Sequence, residues 1–321
     1  PERERPYIVR NIAATRDAMG MGEATLTSDA FELNTDKDKI DLVANEASVR
    51  NIRIWDPSAE VLGRTFPQLQ RVRDYYRIND VDIDRYPLNG QTTQVVLSVR
   101  DLNTANVPRD SWAAEHLQYT HGYGAIVAPA NAKEDSGEPS FVLRDVPAVS
   151  DAPELELDEP AIYFGENLSS YIMTGTKQRE IDFQNDEGTQ YAAYDGKDGV
   201  ALDNIVKRAA FALRFADYNP VISNQIDGDS KIHYVRDIRD RVELLAPFLH
   251  YDADPYPVIV DGRVQWVLDA YTTTNMYPYG QTADISQLTD GSGLDHRFNY
   301  VRNSVKAVVD AYDGTVDFYV M

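Results

Sequence analysis

The sequence predicts an α+β fold, built of antiparallel β-hairpins with several flanking helices. Three observations carry that expectation. Alternating apolar and polar runs break at the turn dipeptides Asn89-Gly90, Asp261-Gly262 and Asp313-Gly314, as hairpins require. Apolar residues recur at helical spacing between them, most clearly at Ile205, Val206, Ala209, Ala210 and Leu213. A regular strand–helix–strand rhythm is missing, which disfavours a doubly wound parallel sheet.

The elements follow in chain order. Pro6 opens a helix over 6–19, with Gly20 and Gly22 just past its end. A second helix is expected over 37–50, with Ile40, Val43, Ala44 and Ala47 on one face, and a third over 68–76 on Leu69, Val72 and Tyr76. Residues 77–102 alternate around Asn89-Gly90. A two-residue loop there would set Asp84 against Val95 and Asp82 against Leu97. A three-residue loop over 88–90 instead pairs Ile83 with Val95 and Val81 with Leu97, and the hydrophobic face favours it. Asp110 or Ser111 caps a short helix over 110–118. The segments 124–130 and 140–146 form a strand pair, and short strands are expected near 161–164, 171–176 and 190–194. Asp203 caps the helix that carries the 205–213 stripe. Residues 230–246 form the next helix, limited by Pro247. Two hairpins close the chain, 255–271 and 304–320. In them Val267-Leu-Asp-Ala-Tyr271 echoes Val308-Val-Asp-Ala-Tyr312, each with its Asp and Tyr on one strand face.

Composition narrows the function classes. The chain has 321 residues, 31 Lys and Arg against 52 Asp and Glu, a net charge of −21 and no cysteine. So acidic a chain is a poor partner for nucleic acid or an anionic membrane surface. Without cysteine there is no disulfide scaffold, zinc-thiolate site, iron–sulfur cluster or thiol nucleophile. Zero cysteine suits either a reducing cytoplasm or a bacterial cell exterior. No apolar run approaches the roughly 18 residues of a membrane span. Pro147, Pro153 and Pro160, with five acids and no base over 151–160, mark a linker. The expected division is an N-terminal part, 1–150, with net charge −6, and a C-terminal part, 151–321, with −15, the alternative being one composite domain. Both chain ends read as cuts, so an excised piece of a longer protein is expected.

Several spaced motifs together resemble one family. They are Tyr119-Thr-His-Gly-Tyr-Gly124, Ala210-Phe-Ala-Leu-Arg-Phe-Ala-Asp217, Arg241-Val-Glu-Leu-Leu-Ala-Pro-Phe-Leu249 with Tyr251-Asp-Ala-Asp-Pro-Tyr256, Asp269-Ala-Tyr-Thr-Thr-Thr274, Tyr277-Pro-Tyr279 and Asn299-Tyr-Val-Arg-Asn-Ser-Val-Lys-Ala307. This set is similar to uncharacterised protein family 0182, across nearly the whole chain. The resemblance implies a large bacterial protein with several N-terminal transmembrane helices. This chain would then be part of its soluble, extracytoplasmic region at the cell membrane. The resemblance implies no reaction, cofactor or catalytic residue.

The candidate site residues come from local chemistry. His121, between Tyr119 and Tyr123 and beside two glycines, reads as a general base or ligand contact, or else as a buried turn histidine. His116 and His121 lie five residues apart, so a helix would turn their rings away from each other and no zinc site is expected. Asp269 and Asp310 could work as general acid and base across adjacent hairpins, or simply accept bonds from Arg263 and Arg302. Lys177, Arg179 and Arg214 could ring an anion pocket or make ordinary salt bridges. Asp80, Asp82 and Asp84 on one strand face could hold Ca²⁺, or form a solvated acid surface; otherwise no cofactor is expected. The favoured function is binding or assembly at the cell envelope. Its partners would be the protein's own transmembrane region, further copies of itself or an envelope component. The alternatives are an extracytoplasmic enzyme using His121 and carboxylates, and the outer domain of a transporter.

Overall fold

Two five-stranded antiparallel sheets share one core in the computed structural model, which describes residues 2–22, 25–26, 41–108, 111–185, 187–288 and 292–321. From the N-terminus, α1 (Arg5–Ala18), α2 (Glu46–Arg50) and α3 (Leu62–Gln70) precede β1 (Tyr76–Arg77), β2 (Asp82–Leu88), β3 (Gln91–Val99) and β4 (Asp101–Leu102). A short helical turn over 112–118 leads to β5 (Gly122–Tyr123), β6 (Ala125–Pro129), β7 (Leu143–Arg144), β8 (Val149–Ser150) and β9 (Ala161–Ile162). Then come β10 (Ile172–Thr174), β11 (Glu180–Asn185), β12 (Gly188–Ala192), β13 (Val200–Ala201), α4 (Ile205–Phe215), α5 (Asn219–Ile222), β14 (Lys231–His233) and α6 (Ile238–Leu245). The chain ends with β15 (His250–Tyr251), β16 (Tyr256–Val260), β17 (Arg263–Thr274), β18 (Tyr300–Asp310) and β19 (Val316–Val320).

The first sheet runs β2–β3–β6–β7–β8, and the second runs β15–β17–β18–β19 with β16 also on β17. Val95, Leu97 and Val127 of the first sheet meet Trp266, Leu268 and Val309 of the second, together with Ile238 and Val242 of α6. On the opposite face of the first sheet, Leu62 and Phe66 of α3 cover Val96, Ile126 and Ala128. The first sheet is thus buried on both faces, and its strand order explains the apolar run 95–97. Among the described residues no helix is long and apolar enough to cross a membrane.

The α+β expectation holds, and so do the turns at Asn89-Gly90, Asp261-Gly262 and Asp313-Gly314. Several expectations need correction. The β2–β3 hairpin has the two-residue loop, with Asn89 and Gly90 both at positive φ (52° and 73°), and pairs Asp82 with Leu97, Ile83 with Val96 and Asp84 with Val95. A hydrophobic face could not decide this register, because β3 offers an apolar partner on both faces; the turn chemistry of Asn-Gly decided it. Second, the helix expected over 68–76 is α3. Its buried stripe is Leu62, Phe66 and Gln70, and Val72 has already left helical space at φ 64°. Third, the helix expected over 230–246 begins only at Ile238. Asp237 caps it, accepting from the backbone N–H of Arg239 (2.9 Å) and Asp240 (3.2 Å), while Lys231–His233 is a strand between β10 and β13. Fourth, the proline-rich stretch 147–160 is not a free connector, since Ala152 and Leu155 are buried in the shared core. Residues 37–40 of the expected second helix lie outside the described residues.

Asn204, not Asp203, caps α4: its Oδ1 accepts from the Lys207 N–H at 3.0 Å, and Asp203 pairs with the Lys207 ammonium at 2.9 Å. Asn204→Ala is therefore expected to lower stability by ~1 kcal/mol and Asp203→Ala by much less, as chemical denaturation would measure.

Candidate functional site

The Tyr119–Gly124 motif runs through the interior. Residues 120–128 are all buried, and β5 pairs with β9. Gly122 is forced by a close backbone approach: a Cβ there would sit 2.2 Å from the Arg100 carbonyl oxygen. His121 Nδ1 donates to the Gly122 carbonyl at 2.9 Å, which leaves Nε2 buried and without a partner. Burial pushes its pKa down to about 4, so the ring is neutral at pH 7. Among the described residues no carboxylate is hydrogen-bonded to it, and its ring packs on Tyr163 at 4.7 Å. Tyr123 is buried edge-on against Phe183, and Tyr119 is edge-on to Tyr75.

Around His121 lies a polar network that sequence reasoning missed. Arg236 is fully buried and donates to the carbonyls of Tyr163 (2.9 Å), Thr120 (2.5 Å) and Ser170 (3.4 Å). Glu180 Oε2 accepts from the hydroxyls of Thr120 (2.8 Å) and Tyr163 (2.9 Å). Burial raises the Glu180 pKa, against the pull of those two donors. Nearby, His233 Nδ1 donates to Asp198 at 3.3 Å while its Nε2 accepts from the Thr174 hydroxyl at 2.9 Å. Burial lowers the His233 pKa, so this contact is a hydrogen bond with a neutral ring.

The two catalytic candidates of the hairpins stand apart. Asp269 faces Lys306 in the β17–β18 register and is ion-paired with it, whereas Asp310 faces Gln265, four positions along the same strand. That offset is roughly 13 Å, too far for one proton relay. Asp310 Oδ1 accepts from the backbone N–H of Tyr312 (2.9 Å) and Asp313 (2.7 Å), and its Oδ2 accepts from Arg263 (3.3 Å). Arg302 reaches the Met321 carbonyl instead. Both acids therefore hold turns and strands together.

Asp80, Asp82 and Asp84 do gather, and with partners the sequence did not reveal. The observed register turns Asp82 and Asp84 onto the face shared with Tyr86 and Leu88. The carboxylate of Asp254 adds to the effect of burial on Asp80. Asp101, fully buried, accepts at Oδ2 from Asn79 (3.0 Å) and the Glu166 N–H (3.1 Å), and the same Asn79 amide donates to Glu166 Oε2 (3.0 Å). Asp101 Oδ1 and Asp82 Oδ2 are buried without partners. Burial first, and mutual repulsion second, push Asp80 to about 6, Asp82 to about 8 and Glu166 to about 8; burial, with a smaller push from Asp80, lifts Asp101 to about 7, against its bond from Glu166 and the pull of Arg77 and Arg236. Among the described residues no three His, Asp or Glu side chains are placed to hold a metal ion.

Arg214 borders an open groove of about 640 Å³ between the C-terminal end of α4 and α6. Its guanidinium lies 4.9 Å over the Tyr234 ring, and Arg239, Glu243, Leu244 and Pro247 form the facing wall. Lys177 and Arg179 do not join it: Lys177 donates to the Asn224 carbonyl and Arg179 stacks on Tyr191. The apolar stripe of α4 is turned outward. Val206 is 74% and Leu213 84% exposed, and none of the helix residues is buried. The helix holds to the body through Phe211 and Phe215, which pack on the cluster of Leu202, Ile226 and Ile232.

No solved structure matches the chain. Curated relatives include UPF0182 proteins of Trichodesmium erythraeum (39% identical over 100% of this chain and 35% of the relative), Trichlorobacter lovleyi (42%, over 99% and 34%) and Bradyrhizobium diazoefficiens (42%, over 100% and 33%). The chain thus spans about a third of the length of the curated relatives it matches. The family described as uncharacterised protein family UPF0182 matches residues 1–321, and the chain belongs to it.

Proposed function

We propose that this chain is a binding and assembly module of a longer, membrane-anchored protein, working on the extracytoplasmic side of the cell envelope. The observation that carries the reading is the outward apolar face of α4. Val206 and Leu213 sit on water, and exposed apolar patches of this kind are where proteins meet partners. The location rests on the resemblance of the motifs to a family with membrane spans, and relatives about three times as long leave room for such spans. The ionisable groups support the same reading, because Asp269, Asp310 and His121 are each committed to internal contacts.

Two measurements test it. A cysteine at the exposed Val320, in the full-length protein with any cysteine outside these 321 residues replaced, gives a topology probe. A membrane-impermeant maleimide should label it in intact cells; labelling only after lysis overturns the extracytoplasmic placement. Val206→Asp should leave the melting temperature within a degree or two, because the side chain is exposed. It should also abolish association of the full-length protein with its partner in cross-linking; unchanged association overturns the binding role of α4.

A further inference from the structure

We infer that the groove between α1 and the turn at 277–281 is a binding site for a neutral glycan. It shares no residue with α4 and goes beyond the assembly reading. Its lining is neutral. In a chain of net charge −21, with 26% of its residues charged, no described residue lining this groove of about 250 Å³ carries a charge. The grooves on either side of α6, beside Asp310 and along 143–157 all carry carboxylates. A concave site of apolar and aromatic side chains with a few polar ones is the usual form of a small-ligand pocket.

The lining is of two kinds. The rings of Tyr277 and Tyr300 lie parallel, 4.8 Å apart and 11° from coplanar. Asn11 and Thr15, one turn apart on α1, and Gln281 supply the polar part, and their side chains make no hydrogen bond among the described residues. An amide and a hydroxyl each donate and accept. Sugar hydroxyls do both in return, whereas peptide carbonyls call for donors alone. The C–H face of a sugar ring is slightly positive and settles on the negative face of an aromatic ring. An acidic glycan is repelled by the net charge, and a basic one meets no carboxylate in the lining. Tyr277 is held in place ahead of any ligand. Asn299 Oδ1 accepts from the Tyr277 N–H at 3.0 Å, and its Nδ2 donates to the carbonyls of Tyr277 (2.8 Å) and Gly280 (3.3 Å). Such preorganisation lowers the ordering cost of binding. At the tip of the same turn Tyr279 is fully exposed at φ 57°, a left-handed conformation rare for a bulky residue. Its ring is open to a sugar that extends past the groove.

The test applies the full-length protein, in lipid nanodiscs free of sugar-based detergent, to an array of neutral and acidic bacterial oligosaccharides. It should bind neutral members only. Tyr277→Ala should weaken that binding roughly tenfold, through the loss of one ring contact. Tyr277→Phe should retain it, because the stacking face remains. Gln281→Ala should cost roughly fivefold, for one neutral hydrogen bond. Circular dichroism checks that each variant is folded. Binding to no neutral member, a preference for acidic members, or binding unchanged by Tyr277→Ala overturns the inference. Binding of a polyproline peptide in place of any neutral sugar also overturns it, in favour of a peptide site. Val206→Asp should leave sugar binding unchanged, so the α4 reading and this one stand or fall separately.

Discussion

Replacing Arg236 by methionine is expected to lower the stability of the chain by about 3–5 kcal/mol, the range found when one member of a buried charged network is removed. The size follows from what the guanidinium holds. It is fully buried, and it donates to carbonyls from three separate segments, at Thr120, Tyr163 and Ser170. Burial lowers its pKa only to about 10, so it remains charged at neutral pH, helped by Tyr163, Asp101 and Glu180 nearby. Methionine fills a similar volume but leaves three carbonyls without donors in the interior, and each orphan costs about 1–3 kcal/mol. Arg236→Lys should recover part of the loss, since an ammonium can serve some of the three acceptors but lacks the planar fork. Urea unfolding measures both. A loss under ~1 kcal/mol for the methionine variant would show that water or a rearranged loop reaches those carbonyls.

Stability is also expected to fall as the pH rises from 6.5 to 8.5, by at least ~2 kcal/mol. The sign comes from the carboxyl cluster. In the fold, burial and mutual repulsion hold Asp82 and Glu166 at about 8, and burial holds Asp101 at about 7, whereas in the unfolded chain these groups ionise near pH 4. Between those values the folded state binds more protons, and each such group removes about 1.4 kcal/mol of stability per pH unit. Their contribution is complete below pH 4 and is lost on the way to pH 8. His121 works in the opposite sense. Its folded pKa of about 4 lies below the ordinary value of 6.5, so it weakens the fold only as the pH drops from 6.5 to 4. Above pH 6.5 the carboxyls therefore act without that opposition. Asp82→Asn should flatten the decline, and denaturant titrations at several pH values would show it. A wild-type profile level between pH 6.5 and 8.5 would mean that the acids are solvated.

How far the sequence reaches is clear from particular residues. The turns at 89–90, 261–262 and 313–314 were legible because Asn-Gly and Asp-Gly favour the positive φ angles those loops use, at both residues of the first two and at Gly314 in the third. The β2–β3 register was not, because the argument from a hydrophobic face assumes one buried face and β3 has two. The strand at Lys231–His233 hid inside a helical pattern; only tertiary pairing with β10 and β13 places it. At the sites, Asp310 with Arg263 could be read from the sequence, since the acid and the base lie on neighbouring hairpin strands. The Asp101–Glu166 contact could not, because its members are 65 residues apart and nothing local marks either. Arg214 was legible as a cation, but the groove it borders exists only once α4 and α6 are both placed.

The shared core has a consequence for anyone who divides this chain. Val95 and Leu97 share one core with Trp266 and Leu268, and the Thr120 carbonyl accepts from Arg236. A cut in the surface stretch near residue 150 would thus yield two fragments that each lack half of an interior. They should behave as obligate complements, unfolded apart and regaining structure when mixed, and an unnicked chain should resist proteolysis as one cooperative unit.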